Sequence, residues 1–273
     1  MLSFARKHTQ LSAMGVFTVF FIWWLLLQFI SEPTDSSREL FSGVYGTMAL
    51  FGAIVGLKIS KTWGGRKSFV GLAILMLSLG LFAQVFGQIS YSLYTLILKK
   101  EVPYPSIGDI GYFGTIPLYI YGVWQLGKTV SIKTSLKSFA NKALVTVLPI
   151  AILTASYLYF LKGYEADWTH PLTVFLDLGY PLGPAAYLSL TILVYTLSRK
   201  FLGGIMRPVI LLVLFALAMQ YLADFFFLYQ VHQETWVTGG FNELMFLFAY
   251  FVMTIALLRF RSAYQTISNR NKE

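Results

Sequence analysis

LFSGVYGTMALFGAIVGL (residues 40–57), KISKTWGGRK (58–67) and SFVGLAILMLSLGLFAQVFGQISYSLYTLIL (68–98) follow one another without interruption. Two charge-free apolar runs thus flank a short stretch that holds Lys58, Lys61, Arg66 and Lys67. A helix needs about 20 mainly apolar residues to cross the hydrocarbon core of a bilayer. Both runs supply that length, and the basic stretch between them reads as a turn on one side of a membrane. The alternation continues in both directions. Charge-poor runs extend over Leu11 to Ile30, Leu40 to Leu57, Ser68 to Leu98, Ile110 to Leu126, Ala143 to Leu161, Leu172 to Leu197, Pro208 to Tyr229 and Phe241 to Leu258. The sequence predicts an all-α polytopic membrane protein of eight transmembrane helices. Residues 1–262 form the membrane domain and residues 263–273 a cytoplasmic tail.

Composition agrees. Of the 273 residues 56% are hydrophobic and only 12% charged, against roughly a quarter charged in a soluble domain. The polar gaps are too short to build a separate soluble core. No cysteine is present, which excludes a disulfide framework, thiolate metal sites and a cysteine nucleophile. Arg6, Lys7 and His8 precede the first run, but that run is too long for a signal-peptide core and lacks a small-residue cleavage site. It reads as an uncleaved first span. The third run exceeds one straight crossing, so Ser90 to Leu98 is expected to emerge at the interface.

Basic residues set the orientation, because cytoplasmic loops carry the excess of Lys and Arg. With the N-terminus inside, 17 of the 21 fall on the cytoplasmic side: Arg6, Lys7, Lys58, Lys61, Arg66, Lys67, Lys128, Lys133, Lys137, Lys142, Arg199, Lys200, Arg207, Arg259, Arg261, Arg270 and Lys272. Arg38, Lys99, Lys100 and Lys162 fall outside. Acids show the reverse, with Glu273 alone on the inner side. The predicted location is a plasma membrane with both termini cytoplasmic. The +9 net charge is read as contact with anionic lipid headgroups, worth about 1 kcal/mol per residue near the surface, and not as nucleic-acid binding.

Asp109-Ile-Gly-Tyr112 matches Asp177-Leu-Gly-Tyr180, each near the outer start of a span that runs inward. Glu39-Leu-Phe-Ser and Glu243-Leu-Met-Phe are weaker echoes, and Gln84-Val-Phe-Gly-Gln88 resembles Gln220-Tyr-Leu-Ala-Asp224. The expected architecture is four repeats of one helical hairpin, and sites tend to form where such repeats meet.

Ser106-x-x-Asp109 and Ser36-x-x-Glu39 read as capping boxes. Asp177 lies six residues beyond Pro171, too deep to cap, and Asp224 lies at a similar depth in the seventh span. A carboxylate at the centre of a membrane helix costs about 2.5–3.5 kcal/mol, so such groups face the bundle interior and mark a function or a buried partner. Gln84, Gln88, Gln220, Tyr180, Tyr221 and Asn242 share that level, with Lys99 or Lys100 placed to reach down. Glu243 is nearer the surface and is expected to be solvated. Three readings stand: a hydrogen-bonded cluster that holds the helices in register, a pocket for a ligand or ion, or a metal site with His170 or His232. Gly179, Pro181, Gly183 and Pro184 are expected to interrupt the sixth span, since proline removes a donor and clashes with the preceding turn. Gly52-x-x-x-Gly56 permits close helix approach. Trp23, Trp24, Trp168 and Trp236 fall where interfacial anchors belong. No phosphate-binding loop, nucleophile elbow or HExxH motif occurs, so no catalytic residue is assigned.

Tyr104-Pro-Ser-Ile-Gly-Asp109-Ile-Gly-Tyr112, Phe175-Leu-Asp-Leu-Gly-Tyr-Pro-Leu-Gly183 and Leu222-Ala-Asp224 resemble segments of the multi-span N-terminal sensory regions that precede diguanylate cyclase (GGDEF) and sensor kinase domains in bacteria. The resemblance implies a membrane sensory module. The chain departs from that pattern after the eighth run, where Arg259 to Glu273 holds no output domain, so a sensor of this kind acts through a separate cytoplasmic protein. The expected function is a non-enzymatic ligand-binding module for a small or lipidic ligand. Its outer-leaflet pocket is formed by Asp177, Asp224, Tyr180, Gln220, Gln84, Gln88 and Asn242. A secondary transporter, and then a membrane enzyme or assembly subunit, are the alternatives.

Overall fold

The computed structural model describes residues 2–32, 35–129, 139–198 and 205–270, and every regular element among them is helical. In chain order these are α1 (Leu2–Ile30), α2 (Ser36–Val44), α3 (Thr47–Thr62), a 3-10 turn (Gly65–Lys67), α4 (Phe69–Ser92), a π-helical turn (Leu93–Ile97), α5 (Gly108–Thr129), α6 (Phe139–Phe160), α7 (Pro171–Ser198), α8 (Arg207–His232) and α9 (Phe241–Arg270). Of the charges counted above, Lys133, Lys137, Arg199, Lys200, Lys272 and Glu273 lie outside the described residues.

Among the described residues seven segments are long and apolar enough to cross a membrane: α1, the α2–α3 pair, α4 with its π turn, α6, α7, α8 and α9. The predicted fourth span, α5, has 22 residues and therefore the length. Asp109, Lys128 and its glycines and tyrosines leave it less apolar than the others. The extra length of the third run becomes the π turn, closed by Leu98 N–H donating to Leu93 O at 2.9 Å.

Three local expectations are corrected. Helix α7 runs unbroken through Pro181 and Pro184. Neighbouring helices support it there: Ser156 Oγ of α6 donates to the Pro181 carbonyl at 2.6 Å, and Gly179 and Gly183 admit Phe113 and Ile116 of α5 against its backbone. Asp35, not Ser36, caps α2, accepting from Ser37 N–H at 3.0 Å and Ser31 Oγ at 3.1 Å. An aspartate is the stronger acceptor, and its charge suits the positive end of the helix dipole. The Ser37 amide holds the Asp35 carboxyl below its usual range. Freed from capping, Glu39 pairs with Lys99 at 3.3 Å on the surface, which takes that lysine away from the deeper acids.

Helices α3, α4, α5, α7, α8 and α9 pack in that order into a closed ring, with α9 returning to α3. Every junction carries a side-chain hydrogen bond. Ser60 Oγ donates to Gly71 O across α3–α4 at 2.7 Å, and Thr115 Oγ1 to Gly80 O across α4–α5 at 3.3 Å. Tyr180 donates to Asp109 across α5–α7. Tyr187 donates to Asp224 across α7–α8 at 2.7 Å, and Asn242 Nδ2 to Ala223 O across α8–α9 at 2.9 Å. Trp63, which caps α3, donates to Phe260 O of α9 at 3.1 Å. Helices α1 and α6 sit outside the ring. Only 11% and 6% of their apolar windows are buried, against 44–61% for the other five segments.

The bundle has an acidic and a basic end. Lys58, Lys61, Arg66 and Lys67 surround the α3–α4 turn. Lys128 at the end of α5 lies 5.5 Å from the Phe69 ring at the start of α4, and the Trp63 bond brings the far end of α9 to the same place. The described acids gather toward the opposite end. There Trp24 and Gln28 of α1 donate to Gly240 O and Gly239 O at 3.0 and 2.9 Å, just before α9. Trp24, expected as an interfacial anchor, is a clasp between helices.

Candidate functional site

One copy of the Asp-x-Gly-Tyr motif opens α5 and the other begins six residues into α7, and these parallel helices lie side by side in near register. Phe113 meets Gly179, Ile116 meets Gly183, and Tyr119 meets Tyr187 edge-on at 5.9 Å. Each helical turn of one helix therefore answers a turn of the other, offset by the spacing of the motifs. This places the two acids at one rim, where they are bonded crosswise. Tyr180 of the second motif donates to Asp109 of the first. Tyr104, five residues before Asp109, donates to Asp177 of the second at 2.7 Å. The other Asp109 oxygen accepts Ser106 N–H at 2.6 Å and Ser106 Oγ at 3.1 Å, the reach-back half of a capping box. The other Asp177 oxygen accepts Tyr164 Oη at 2.6 Å, from the loop between α6 and α7.

Two loops thus converge on Asp177. Its bond raises the Tyr164 hydroxyl to about 12. Burial, then the same carboxylate, pushes Tyr104 upward as well. A tyrosine whose folded pKa is raised contributes its stabilisation below the unfolded value near 10 and loses it as pH climbs toward about 12. Both hydroxyls therefore remain donors at physiological pH.

The remaining residues singled out from sequence fall into separate bonded sets. Asp224 accepts from Tyr187 at 2.7 Å and from Gln220 Nε2 at 3.0 Å. Gln84 accepts from Tyr250 at 3.0 Å. Gln88 donates to the Ser42 carbonyl, and Asn242 to the Ala223 carbonyl. Each links one helix to another, apart from the Gln220–Asp224 bond within α8.

Glu243 departs from its expectation of solvation: it is only 4% exposed. Ser42 Oγ lies 2.6 Å from both of its oxygens, and the Gly239 amide donates to Ser42 at 3.1 Å. Arg38, counted as an outer cation, is equally buried. It donates to Leu27 O at 2.9 Å, Ser31 O at 3.1 Å and Thr238 O at 3.4 Å, closing the end of α1. Tyr104, Tyr164, Tyr187, Ser42 and Arg38 all escape the sequence reading. For Arg38 a signal was present, an arginine beside an apolar run at the end otherwise rich in acids. The tyrosines belong to loops and helix faces whose partners lie far off in sequence.

A groove of about 300 Å³ opens between the starts of α5 and α7, with Asp109, Ile110, Phe113 and Phe175 in its wall. Neither Asp177 nor Asp224 lines it. Among the described residues no three His, Asp or Glu side chains form a metal-binding group. The chain matches no protein-family model, no curated protein and no solved structure.

Proposed function

We propose that the bundle crosses a plasma membrane eight times with its acidic end outside and both termini in the cytoplasm, and that it is a non-enzymatic sensory module. The rim where α5 and α7 begin binds a small or lipidic ligand, and occupancy passes through the basic face to a separate cytoplasmic protein. The crosswise pairing of Tyr180 with Asp109 and Tyr104 with Asp177 carries this reading. It ties the loop before α5 and the outer turns of α5 and α7 together by hydroxyl–carboxylate bonds at an accessible rim, where a ligand with its own donors competes for the same oxygens. Deeper down, Asp224 and the glutamines brace the ring. The stacked contacts from Phe113–Gly179 to Tyr119–Tyr187 connect the rim to the interior. Two packings of that seam give a ligand something to select between.

Protein extracted from its own membrane into nanodiscs is expected to retain a bound molecule in native mass spectrometry. The paired substitution Asp109→Asn and Asp177→Asn removes it while the unfolding midpoint stays within a few degrees. In each amide the oxygen still accepts one of the carboxylate's donors while the nitrogen donates in turn to a tyrosine oxygen, so the fold survives and the charge does not. An empty wild type, or equal retention by the variant, defeats the reading.

Orientation has a direct test because the chain has no cysteine, so any introduced thiol is unique. A membrane-impermeant maleimide should label Glu165→Cys on intact cells, and Thr62→Cys only after permeabilisation. The opposite pattern would invert the topology and with it the proposed outer rim.

A further inference from the structure

The α5–α7 groove has a neighbour. A second groove of about 310 Å³ adjoins it, and the two share Pro105 and Leu172. Both volumes sit at the lower end of the usual range for ligand pockets, about 300–1,000 Å³. Their linings differ. The first follows the flanks of two helices, walled by Ile110, Phe113 and Phe175, with the Asp109 carboxylate at the end nearest the rim. The second lies over the opening turn of α7, where Thr169, His170 and Thr173 contribute polar atoms. A more polar mouth at Thr169, His170 and Thr173 therefore adjoins an apolar slot. Ile110 and Phe175 remain 70% and 55% exposed there. A wholly polar ligand would leave that wall bare, and a wholly apolar one would leave the mouth unused.

Charge narrows the choice. Among the described residues no Lys or Arg lines either groove, and the one carboxylate in the lining is Asp109. A phosphate head at the Asp109 end would meet like charge, and like-charge juxtaposition selects against a partner. We infer that this double groove holds a single-chain amphiphile whose head donates hydrogen bonds and carries no negative charge. The chain lies along Ile110, Phe113 and Phe175, and the head lies between Asp109 and His170. This rests on the reading of the acidic end as a ligand-binding rim and names the ligand class.

Gly114 provides the decisive variant. It lines the slot, yet a Cβ added there meets no atom within 4 Å. Gly114→Leu therefore fills the slot without pressing on the fold, and leucine is the better helix former. The full chain in phosphatidylcholine nanodiscs is irradiated with three diazirine-tailed probes of equal chain length: a monoacylglycerol, an alkylamine and a lysophosphatidate. The first two are expected to crosslink at the slot residues, with the alkylamine stronger if the head is cationic and the monoacylglycerol if it is neutral. The lysophosphatidate should label the slot about tenfold less, the size of one unfavourable charge contact. Gly114→Leu should lower slot labelling by about tenfold, leaving the unfolding midpoint and the labelling of Phe29 on lipid-facing α1 unchanged. Labelling spread evenly over exposed apolar residues and indifferent to Gly114→Leu overturns the inference. If native mass spectrometry then finds a soluble polar molecule that is lost with Asp177→Asn, the ligand-binding rim stands and only the amphiphile fails. If it finds nothing, both fail.

Discussion

Gly111→Leu is expected to leave almost no folded protein, whereas Gly114→Leu, one turn away on the same helix, folds normally. A Cβ on Gly111 would lie 2.4 Å from the Ala83 carbonyl oxygen and 2.6 Å from the Gly87 amide nitrogen. Both are backbone atoms of α4, so no rotamer change relieves the clash. Nor can α5 back away, because two ring contacts depend on the same approach. Tyr112 lies against Gly87 and Tyr119 against Gly80, seven residues apart on each helix, so one tyrosine face docks on one glycine stripe. Overpacking a core costs about 1–3 kcal/mol where side chains can shift, and more where they cannot. Here the whole α4–α5 contact must open, against a total stability on the order of 5–15 kcal/mol. Monodisperse yield after size-exclusion chromatography and the thermal midpoint in nanodiscs measure both variants. Equal behaviour of the two would mean that the α4–α5 seam is not the close backbone contact described.

That comparison also marks what was legible in advance. Hydropathy is enough to locate the long apolar helices, and the matching Asp-x-Gly-Tyr motifs point to the outer turns of α5 and α7. The sequence could not say which helices form the ring. Helix α1 has a mean hydropathy of 2.1 and α4 of 2.3, yet 11% of one window and 50% of the other is buried. Lipid tails and a protein interior are equally apolar, so composition does not separate a lipid-facing helix from a packed one. Small residues do so better: Gly80, Gly87 and Gly111 each admit a neighbour. Depth misled in two cases. Asp177 sits well inside α7 by residue count, yet loops carry Tyr104 and Tyr164 to it. Glu243 sits near the start of α9, yet the α1–α2 connection and Arg38 fold over that end and bury it. Distance along a helix measures height, not cover.

The covered end makes Arg38 the second costly position. Arg38→Met is expected to lower the thermal midpoint by roughly 5–10 °C, the size of about 3 kcal/mol in a chain of this length. Two losses combine. The carbonyls of Leu27 and Ser31 at the end of α1 lose their shared donor, with Leu27 O keeping only the Ser31 N–H at 3.3 Å, and a buried acceptor that loses its partner costs about 1–3 kcal/mol. Glu243 also loses the weak through-space attraction of Arg38; the two are not an ion pair, and Ser42 remains its hydrogen-bond partner. Glu243→Gln removes the charge on which Arg38 acts from a distance, and this separates the two losses. In the double variant Arg38→Met with Glu243→Gln, the second loss disappears while the weakened bonding of the Leu27 and Ser31 carbonyls remains. Recovery should therefore be partial, with a coupling of about 1–2 kcal/mol in the double-mutant cycle. Strict additivity would reduce Arg38 to a cap on α1. Glu243 would then rest on Ser42 and Gly239 alone, and the acidic end would be held by hydrogen bonds without charge compensation.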